Sequence, residues 1–101
     1  MIPAPVVSLA AVEWNQTQDD WADVVLNVDL DTTGLPSGVL ELFWILGGDL
    51  QLLGNVVPGC GFRHERVTQT AGDTPRYVAR YRTEQVAGPY SAELVVTIPP
   101  E

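Results

Sequence analysis

The sequence has no lysine, one cysteine and one histidine among its 101 residues. Because Cys60 has no second cysteine to pair with inside the chain, packing rather than a disulfide must hold the fold together. One cysteine and one histidine, His64, fall short of the three or four ligands that a zinc site needs. No apolar run approaches the roughly 18 residues of a membrane-spanning helix. The opening residues 1–5 lack the basic and long apolar regions of a signal peptide.

Positive charge is also scarce, since five arginines face thirteen acidic residues and the net charge is −8. Residues 1–62 carry eight of the acids and no base, whereas residues 63–101 carry five acids and all five arginines. Nucleic-acid binding depends largely on cations that neutralise phosphates, so this balance argues against a nucleic-acid partner. An anionic membrane surface is disfavoured for the same reason. Solubility is the simplest consequence of such a charge.

Hydrophobic residues make up 46% of the chain and charged residues 18%, which is typical of a folded domain rather than a disordered one. A chain of this length predicts a single domain over residues 1–101. Its ends, residues 1–5 and 99–101, contain prolines, at which regular strand pairing is expected to stop.

Turn-forming residues recur at six places and leave seven segments, a spacing typical of an all-β sandwich or barrel. Several segments alternate with period two; in residues 23–31, for example, Val24, Leu26 and Val28 share one face. No segment has convincing helical spacing. The sequence therefore predicts an all-β, seven-stranded antiparallel sandwich of two sheets. The expected strands, A to G in chain order with C′ after C, are residues 6–12, 23–31, 39–46, 50–57, 62–70, 76–83 and 92–98.

Two stretches in the second half of the chain carry a family resemblance. Residues 72–81 read Gly-Asp-Thr-Pro-Arg-Tyr-Val-Ala-Arg-Tyr, and Gly-Pro-Tyr-Ser at 88–91 precedes Leu-Val-Val-Thr at 94–97. With the strand order and the terminal prolines, they resemble a fibronectin type III module, an immunoglobulin-like β-sandwich. The resemblance implies one sheet of strands A, B and E and another of C, C′, F and G. It also implies a structural tyrosine corner, in which the Tyr77 hydroxyl bonds to upstream backbone.

This arrangement predicts which side chains fill the space between the sheets. The expected core is Leu9, Val24, Leu26, Val28, Leu30, Leu42, Trp44, Tyr77, Ala79, Leu94, Val96 and Ile98. Residues 39–46 are unusual, because both faces of this strand are apolar except at Glu41. Either neighbouring side chains cover its outer side, or that side belongs to an apolar patch that another protein or a neighbouring domain covers.

The outer face of the C–F–G sheet is the candidate interaction surface. Apolar side chains are expected there among charged ones, including Glu41 and Glu93. We expect this surface to bind a protein partner or a neighbouring domain, or to support self-association. The alternative is cross-strand packing with Glu–Arg pairs that have no role in binding. The residues of this interaction hypothesis are Phe43, Ile45, Val78, Arg80, Arg82 and Val95.

No catalytic residue and no cofactor is predicted. Cys60 and His64 are four residues apart, about 13 Å on an extended strand, so a packed thiol and a surface histidine are expected rather than a nucleophile and its base. No phosphate-binding glycine loop or nucleophile elbow occurs.

The acidic residues form two small groups that deserve a test as calcium ligands. One group is Asp19, Asp20 and Asp23, and the other is Asp29 with Asp31. Each group would supply only part of the six to eight oxygens that calcium takes. Neither matches the twelve-residue calcium loop, so no metal site is predicted.

Trp14 and Trp21 flank the first acidic group. Exposed tryptophans on a sandwich can stack on sugar rings, which makes a carbohydrate-binding accessory domain the alternative function; otherwise they plug the end of the core. The favoured interpretation is a non-catalytic spacer or interaction module of a larger extracellular, cell-surface or virion protein, such as a phage tail protein. The fold alone does not decide between these functions.

Overall fold

The computed structural model describes residues 1–16 and 20–101. Within these ranges the chain forms strands, turns and extended connections, and it has no helix of the length and hydropathy needed to cross a membrane. The strands are β1 (Val6–Asn15), β2 (Trp21–Asp29), β3 (Gly38–Leu46), β4 (Asp49–Val56), β5 (Gly61–Thr68), β6 (Arg76–Thr83) and β7 (Leu94–Val95).

The strands form two antiparallel sheets, as the sequence predicts. One sheet has the order β1-β2-β5 and the other β4-β3-β6-β7, so the strands are grouped as expected. Alternation explains the burial on β2, where Val24, Leu26 and Val28 are fully buried and Asp29 is exposed. Each sheet therefore turns one apolar face towards the other, and the core lies between them.

The core agrees with the expected set except at Leu9, which is exposed. A register shift between Leu9 and Ala11 breaks the alternation of β1, and Val7 contributes to the core instead. Leu30, Trp44 and Leu94 are only partly buried and pack against its margin. The buried members of the core are Val7, Ala22, Val24, Leu26, Val28, Leu40, Leu42, Tyr77, Ala79, Tyr81, Val96 and Ile98.

Strand β7 is much shorter than the seven residues expected for it. The chain beyond Val95 stays beside the preceding loop, since the Val96 N–H donates to the Pro75 carbonyl (2.9 Å) and the Ile98 N–H to the Asp73 carbonyl (2.9 Å). Pro75 has no N–H to return, so a regular ladder cannot continue past it. The segment is therefore attached to the sheet but is not a full strand.

A tight hairpin places β4 beside β3. Its two-residue loop, Gly47-Gly48, has positive φ angles of 58° and 93°, which glycine adopts without strain. A bulge shifts the register between Leu42 and Phe43. On the hairpin side of this bulge, Phe43 lies opposite Leu52. This hairpin therefore aligns the leucines of β4 with the outward side chains of β3.

Candidate interaction surface

The outward side of the four-stranded sheet, called the outer face below, collects the residues of the interaction hypothesis. Pairing of β3 with β6 places Phe43 opposite Val78 and Glu41 opposite Arg80, while Leu42 and Tyr77 point into the core. Val95 on β7 lies opposite Arg76. Alternation from these pairs puts all six hypothesised residues on this one face: Phe43, Ile45, Val78, Arg80, Arg82 and Val95.

Phe43 and Val78 are nevertheless buried, with 7% and 8% of their surfaces exposed. Tyr90, in the connection after β6, packs edge-on against Phe43 with ring centroids 5.8 Å apart. The Arg80 guanidinium lies 5.4 Å from the Phe43 ring and 5.1 Å from the Tyr90 ring, within cation–π distance of both. Phe43 therefore lies beneath Tyr90 and Arg80 on the outer face.

Ion pairs occupy one part of the same face. The buried carboxylate of Glu41 accepts a hydrogen bond from Arg80 Nε (3.1 Å) and lies 3.2 Å from Arg82 Nε. Here the structure contains the cross-strand packing that the sequence offered as the alternative. Since two guanidinium groups share one carboxylate, this cluster carries one excess positive charge. A separate and more exposed pair joins Arg76 to Glu93 at 3.0 Å.

Exposed apolar side chains cross the rest of the face. Leu52 is 51% exposed and Val95 is 53% exposed, and Leu50 and Tyr90 are similarly open. Leu52 lies opposite Phe43, and Leu50 lies opposite the half-buried Ile45. We call Ile45, Leu50, Leu52, Tyr90 and Val95 the apolar band.

Sequence reasoning missed Leu50, Leu52 and Tyr90 as surface residues. The run Leu-Gln-Leu-Leu at 50–53 puts leucines on both faces of β4, so alternation alone does not show which of them are exposed. The two-glycine loop was the available signal, because a two-residue hairpin sets which residues face each other. Tyr90 lies outside the strands, where periodicity carries no information.

His64 is buried, so the expectation of a surface histidine is wrong. Its place on β5, opposite Val24, turns the imidazole into the core, where its ring centroid is 4.5 Å from that of Trp44. The Tyr77 hydroxyl lies 2.8 Å from His64 Nδ1. Burial lowers the pKa of His64 and raises that of Tyr77, which favours a neutral imidazole accepting the phenol proton.

This contact also corrects the role expected of Tyr77. Its hydroxyl is hydrogen-bonded to a histidine side chain of the opposite sheet rather than to upstream backbone, because the inward-facing imidazole of His64 lies within hydrogen-bond distance. A tyrosine-to-backbone bond is made by Tyr81, whose hydroxyl donates to the Pro36 carbonyl at 2.6 Å. Tyr81 thus fixes the connection between β2 and β3 to β6.

Cys60 is exposed, so the expectation of a packed thiol is also wrong. It lies in the turn between β4 and β5, where its N–H donates to the Val57 carbonyl at 3.0 Å. The turn ends before β5 begins to alternate, so nothing directs this side chain inward. The structure therefore places the thiol on the surface and the His64 imidazole in the core.

Among the acidic groups, Asp23 and Asp31 make structural contacts. Asp19 lies outside the described residues, and Asp20 is exposed. Asp23 is buried; its carboxylate accepts bonds from Arg63 Nη1 (3.0 Å) and from the Arg66 N–H (3.0 Å). Asp23 thereby stabilises the bulge of β5, at which Arg66 has a φ of 53°.

The second group, Asp29 and Asp31, is exposed. Asp31 accepts the Thr33 N–H at 3.0 Å, and hydrogen bonding to Thr33 lowers its pKa. Across residues 1–16 and 20–101, no three His, Cys, Asp or Glu side chains are grouped so as to hold a metal ion.

The tryptophans proposed for sugar binding are both half-buried. The Trp14 indole N–H donates to the Pro99 carbonyl at 3.0 Å, and its ring packs against the core. Trp14 also borders an open groove of about 340 Å³ that Glu13 and Arg63 line. A larger groove, of about 830 Å³, lies at the opposite end of the strands between the loops 33–37 and 83–86.

Comparison with known proteins identifies no relative. No protein-family model, no curated protein and no solved structure matches this chain. The outer face combines the apolar band with ion-paired arginines on one side of the four-stranded sheet.

Proposed function

We propose that the chain is a non-catalytic module, a fibronectin type III-like or immunoglobulin-like β-sandwich, that serves as a spacer or interaction unit in a larger extracellular, cell-surface or virion protein. The grouping of the strands into sheets β1-β2-β5 and β4-β3-β6-β7 supports this type of sandwich. The apolar band on the outer face is the observation that carries the interaction role, and its partner is a protein or a neighbouring domain.

The composition of the band supports binding rather than solvation. Single exposed apolar residues are ordinary on protein surfaces, whereas a contiguous apolar patch with a polar rim is typical of an interaction site. Burying the exposed half of a leucine such as Leu52 contributes about 1 kcal/mol. Tyrosine and arginine are enriched at interfaces; Tyr90 is part of the band, and Arg76 lies opposite Ile45 of the band.

The support beneath the band favours binding as well. Phe43 is buried beneath Tyr90 and Arg80, and Glu41 is ion-paired with Arg80 and Arg82. Side chains that are ordered before binding lose less conformational entropy when a partner arrives. The ion pairs and the exposed band are therefore compatible parts of one surface, since the paired Arg80 packs against Tyr90 of the band.

A capture experiment with matched variants tests this proposal. The unaltered chain is immobilised, exposed to the lysate and surface fraction of its source, and compared with the double variant Leu52→Ser/Val95→Ser. The control is Val6→Ser/Leu9→Ser, which removes exposed apolar residues from β1 of the other sheet.

We expect a captured protein to be lost with the outer-face variant and retained with the β1 control. Capture that survives the outer-face variant and is lost with the β1 control contradicts the proposal. A parallel screen against soluble oligosaccharides addresses the alternative function: binding that Trp14→Ala abolishes would favour a carbohydrate-binding accessory domain.

A further inference from the structure

Positive charge is concentrated on the outer face. Three of the five arginines, Arg76, Arg80 and Arg82, lie on β6 and point to this face. The acids paired with them there are Glu41 on β3 and Glu93, just before β7. Three positive groups and two negative groups leave this face with a net charge of +1, whereas the whole chain carries −8. The outer face therefore differs in sign from the rest of the molecule.

The excess positive charge is accessible at Arg82. Its side chain is 46% exposed, whereas that of Glu41, which it shares with Arg80, is only 7% exposed. One carboxylate cannot neutralise two guanidinium groups, and Arg76 with Glu93 already forms a separate one-to-one pair. Solvent therefore meets a guanidinium whose charge is only partly balanced, while the balancing carboxylate lies beneath the surface.

The strand register sets the distance between this charge and the apolar band. Val78 precedes Arg82 by four residues on β6, which is about 13 Å of extended strand. Phe43 lies opposite Val78 on one side and opposite Leu52 on the other. Leu52 therefore belongs to a row of side chains that crosses the sheet about 13 Å from the row of Arg82.

We propose that the outer face binds an acidic segment of a partner protein, in which an aspartate or glutamate carboxylate pairs with Arg82 and apolar side chains cover Leu52 and Tyr90. This inference rests on the proposed function and names the chemistry of its partner. The guanidinium group has paired N–H donors that match a carboxylate. Apolar contact stabilises such a complex, while the charged contact selects the partner.

The net charge of −8 does not prevent this contact. Exposed charges are screened over about 8 Å at physiological ionic strength, so the charge close to Arg82 acts most strongly on a short segment. A nucleic acid or an anionic membrane extends far beyond this distance and is repelled by the acids elsewhere on the chain. The distribution of charge therefore favours a short acidic segment of a protein.

Selection from a displayed library of random dodecapeptides tests the proposal with the unaltered chain as bait. The selected peptides should be enriched in both acidic and apolar residues. The same selection on Arg82→Gln should lose the acidic enrichment and keep the apolar one. Peptides without acidic enrichment, acidic enrichment that persists on Arg82→Gln, or a selection that yields no binder overturns the proposal.

The affinity of one selected peptide gives the quantitative test. Arg82→Gln should weaken its binding about two- to five-fold, the effect of losing an exposed ion pair, and Arg82→Lys should weaken it less. The matched control Arg76→Gln/Glu93→Gln removes one charge of each sign and should bind with nearly the affinity of the unaltered chain. Equal affinities of Arg82→Gln and the unaltered chain contradict the proposal.

The variant Leu52→Ser/Val95→Ser separates this inference from the proposed function. It should weaken the binding of the same peptide through the loss of apolar contact. A peptide that depends on Leu52 and Val95 but not on Arg82 overturns the acidic partner and leaves the proposed function intact. A peptide whose affinity neither variant changes contradicts both. Denaturant unfolding confirms that each variant is folded; Arg82→Gln should be, because Glu41 keeps its pair with Arg80.

Discussion

The Tyr77 hydroxyl lies 2.8 Å from Nδ1 of His64, in the space between the two sheets. The bond joins β6 of the four-stranded sheet to β5 of the three-stranded sheet, and Trp44 packs edge-on against the imidazole. Both residues are buried, and each supplies the hydrogen-bond partner of the other's polar group. Without this bond, burial of either polar group would destabilise the fold. Substitution of Tyr77 and His64, singly and together, tests this hydrogen bond between the sheets.

Tyr77→Phe should reduce the free energy of unfolding by about 1–3 kcal/mol, because it leaves the buried Nδ1 of His64 without its hydroxyl partner. Denaturant unfolding measures the loss. The double variant Tyr77→Phe/His64→Phe removes both polar groups and should lose less than the sum of the two single variants. Strict additivity of the three values would contradict coupling between the residues.

The stability of the fold should fall as the pH drops below about 6.5. Burial lowers the pKa of His64 below its ordinary value of 6.5, against the smaller opposing influence of Asp23. The unfolded chain therefore takes up a proton near pH 6.5 while the folded chain still resists it, so acid favours unfolding. Above this range the imidazole is neutral in both states and contributes no pH dependence.

Melting temperatures measured between pH 8 and pH 5 check this expectation. The unaltered protein should lose more stability over that range than His64→Gln, whose side chain does not titrate. The comparison of the two slopes cancels the common contribution of the carboxylates. Parallel slopes would show that His64 titrates as it does in the unfolded chain.

Glu41 and Glu93 both pair with arginines on the outer face, but they differ in burial. Glu41→Ala should cost about 1.5–3 kcal/mol, because it removes a buried acceptor from both Arg80 and Arg82. Glu93→Ala breaks an exposed pair and should cost less than about 1 kcal/mol. Chemical denaturation of the two variants measures both losses in the free energy of unfolding. Equal losses would show that the burial of Glu41 does not strengthen its ion pairs.

Asp23 and Asp29 lie on the same strand and provide a second matched comparison. Asp23→Ala should cost about 1.5–3 kcal/mol, since its carboxylate holds both Arg63 and the backbone of the β5 bulge. Asp29→Ala, at an exposed position, should change stability by no more than about 0.5 kcal/mol. Thermal unfolding compares the two variants. A larger loss of stability in Asp29→Ala than in Asp23→Ala would contradict the structural role assigned to Asp23.

Cys60 should react with a maleimide in the folded protein as fast as in urea, because its turn is exposed. Cys60→Ser should leave the melting temperature unchanged, since no packing is lost. Mass spectrometry follows the labelling reaction. Slower labelling in the folded protein than in urea would show that the Cys60 thiol is covered.

Alternation predicted most of the strands well, because most strands bury one face and expose the other. Val24, Leu26 and Val28 on β2 are the clearest example, and β6 agrees with its expected limits at both ends. Period two is a direct consequence of strand geometry, so it can be read without any tertiary information. The grouping of the strands into two sheets was instead implied by the family resemblance, and the structure has that grouping.

The sequence predictions are wrong where the strand register changes or where the chain lies outside the paired strands. A bulge exposes Leu9, and the missing N–H of Pro75 cuts β7 short. His64 and Cys60 exchanged their expected environments, because the sequence does not show where the turn ends and β5 starts to alternate. On the candidate surface, the six hypothesised residues were placed on the correct face, but Leu50, Leu52 and Tyr90 were missed. The cover that Tyr90 places over Phe43 depends on tertiary packing.

The proposed function requires a protein partner or a neighbouring domain to bind the outer face. Its most direct test uses Val95→Cys and Val6→Cys, one on each sheet, in a Cys60→Ser background. Maleimide labelling of each variant is timed with and without the protein captured by the unaltered chain. The captured protein should slow labelling at position 95 and leave position 6 unaffected, whereas slowing at position 6 alone would place the binding surface on the other sheet.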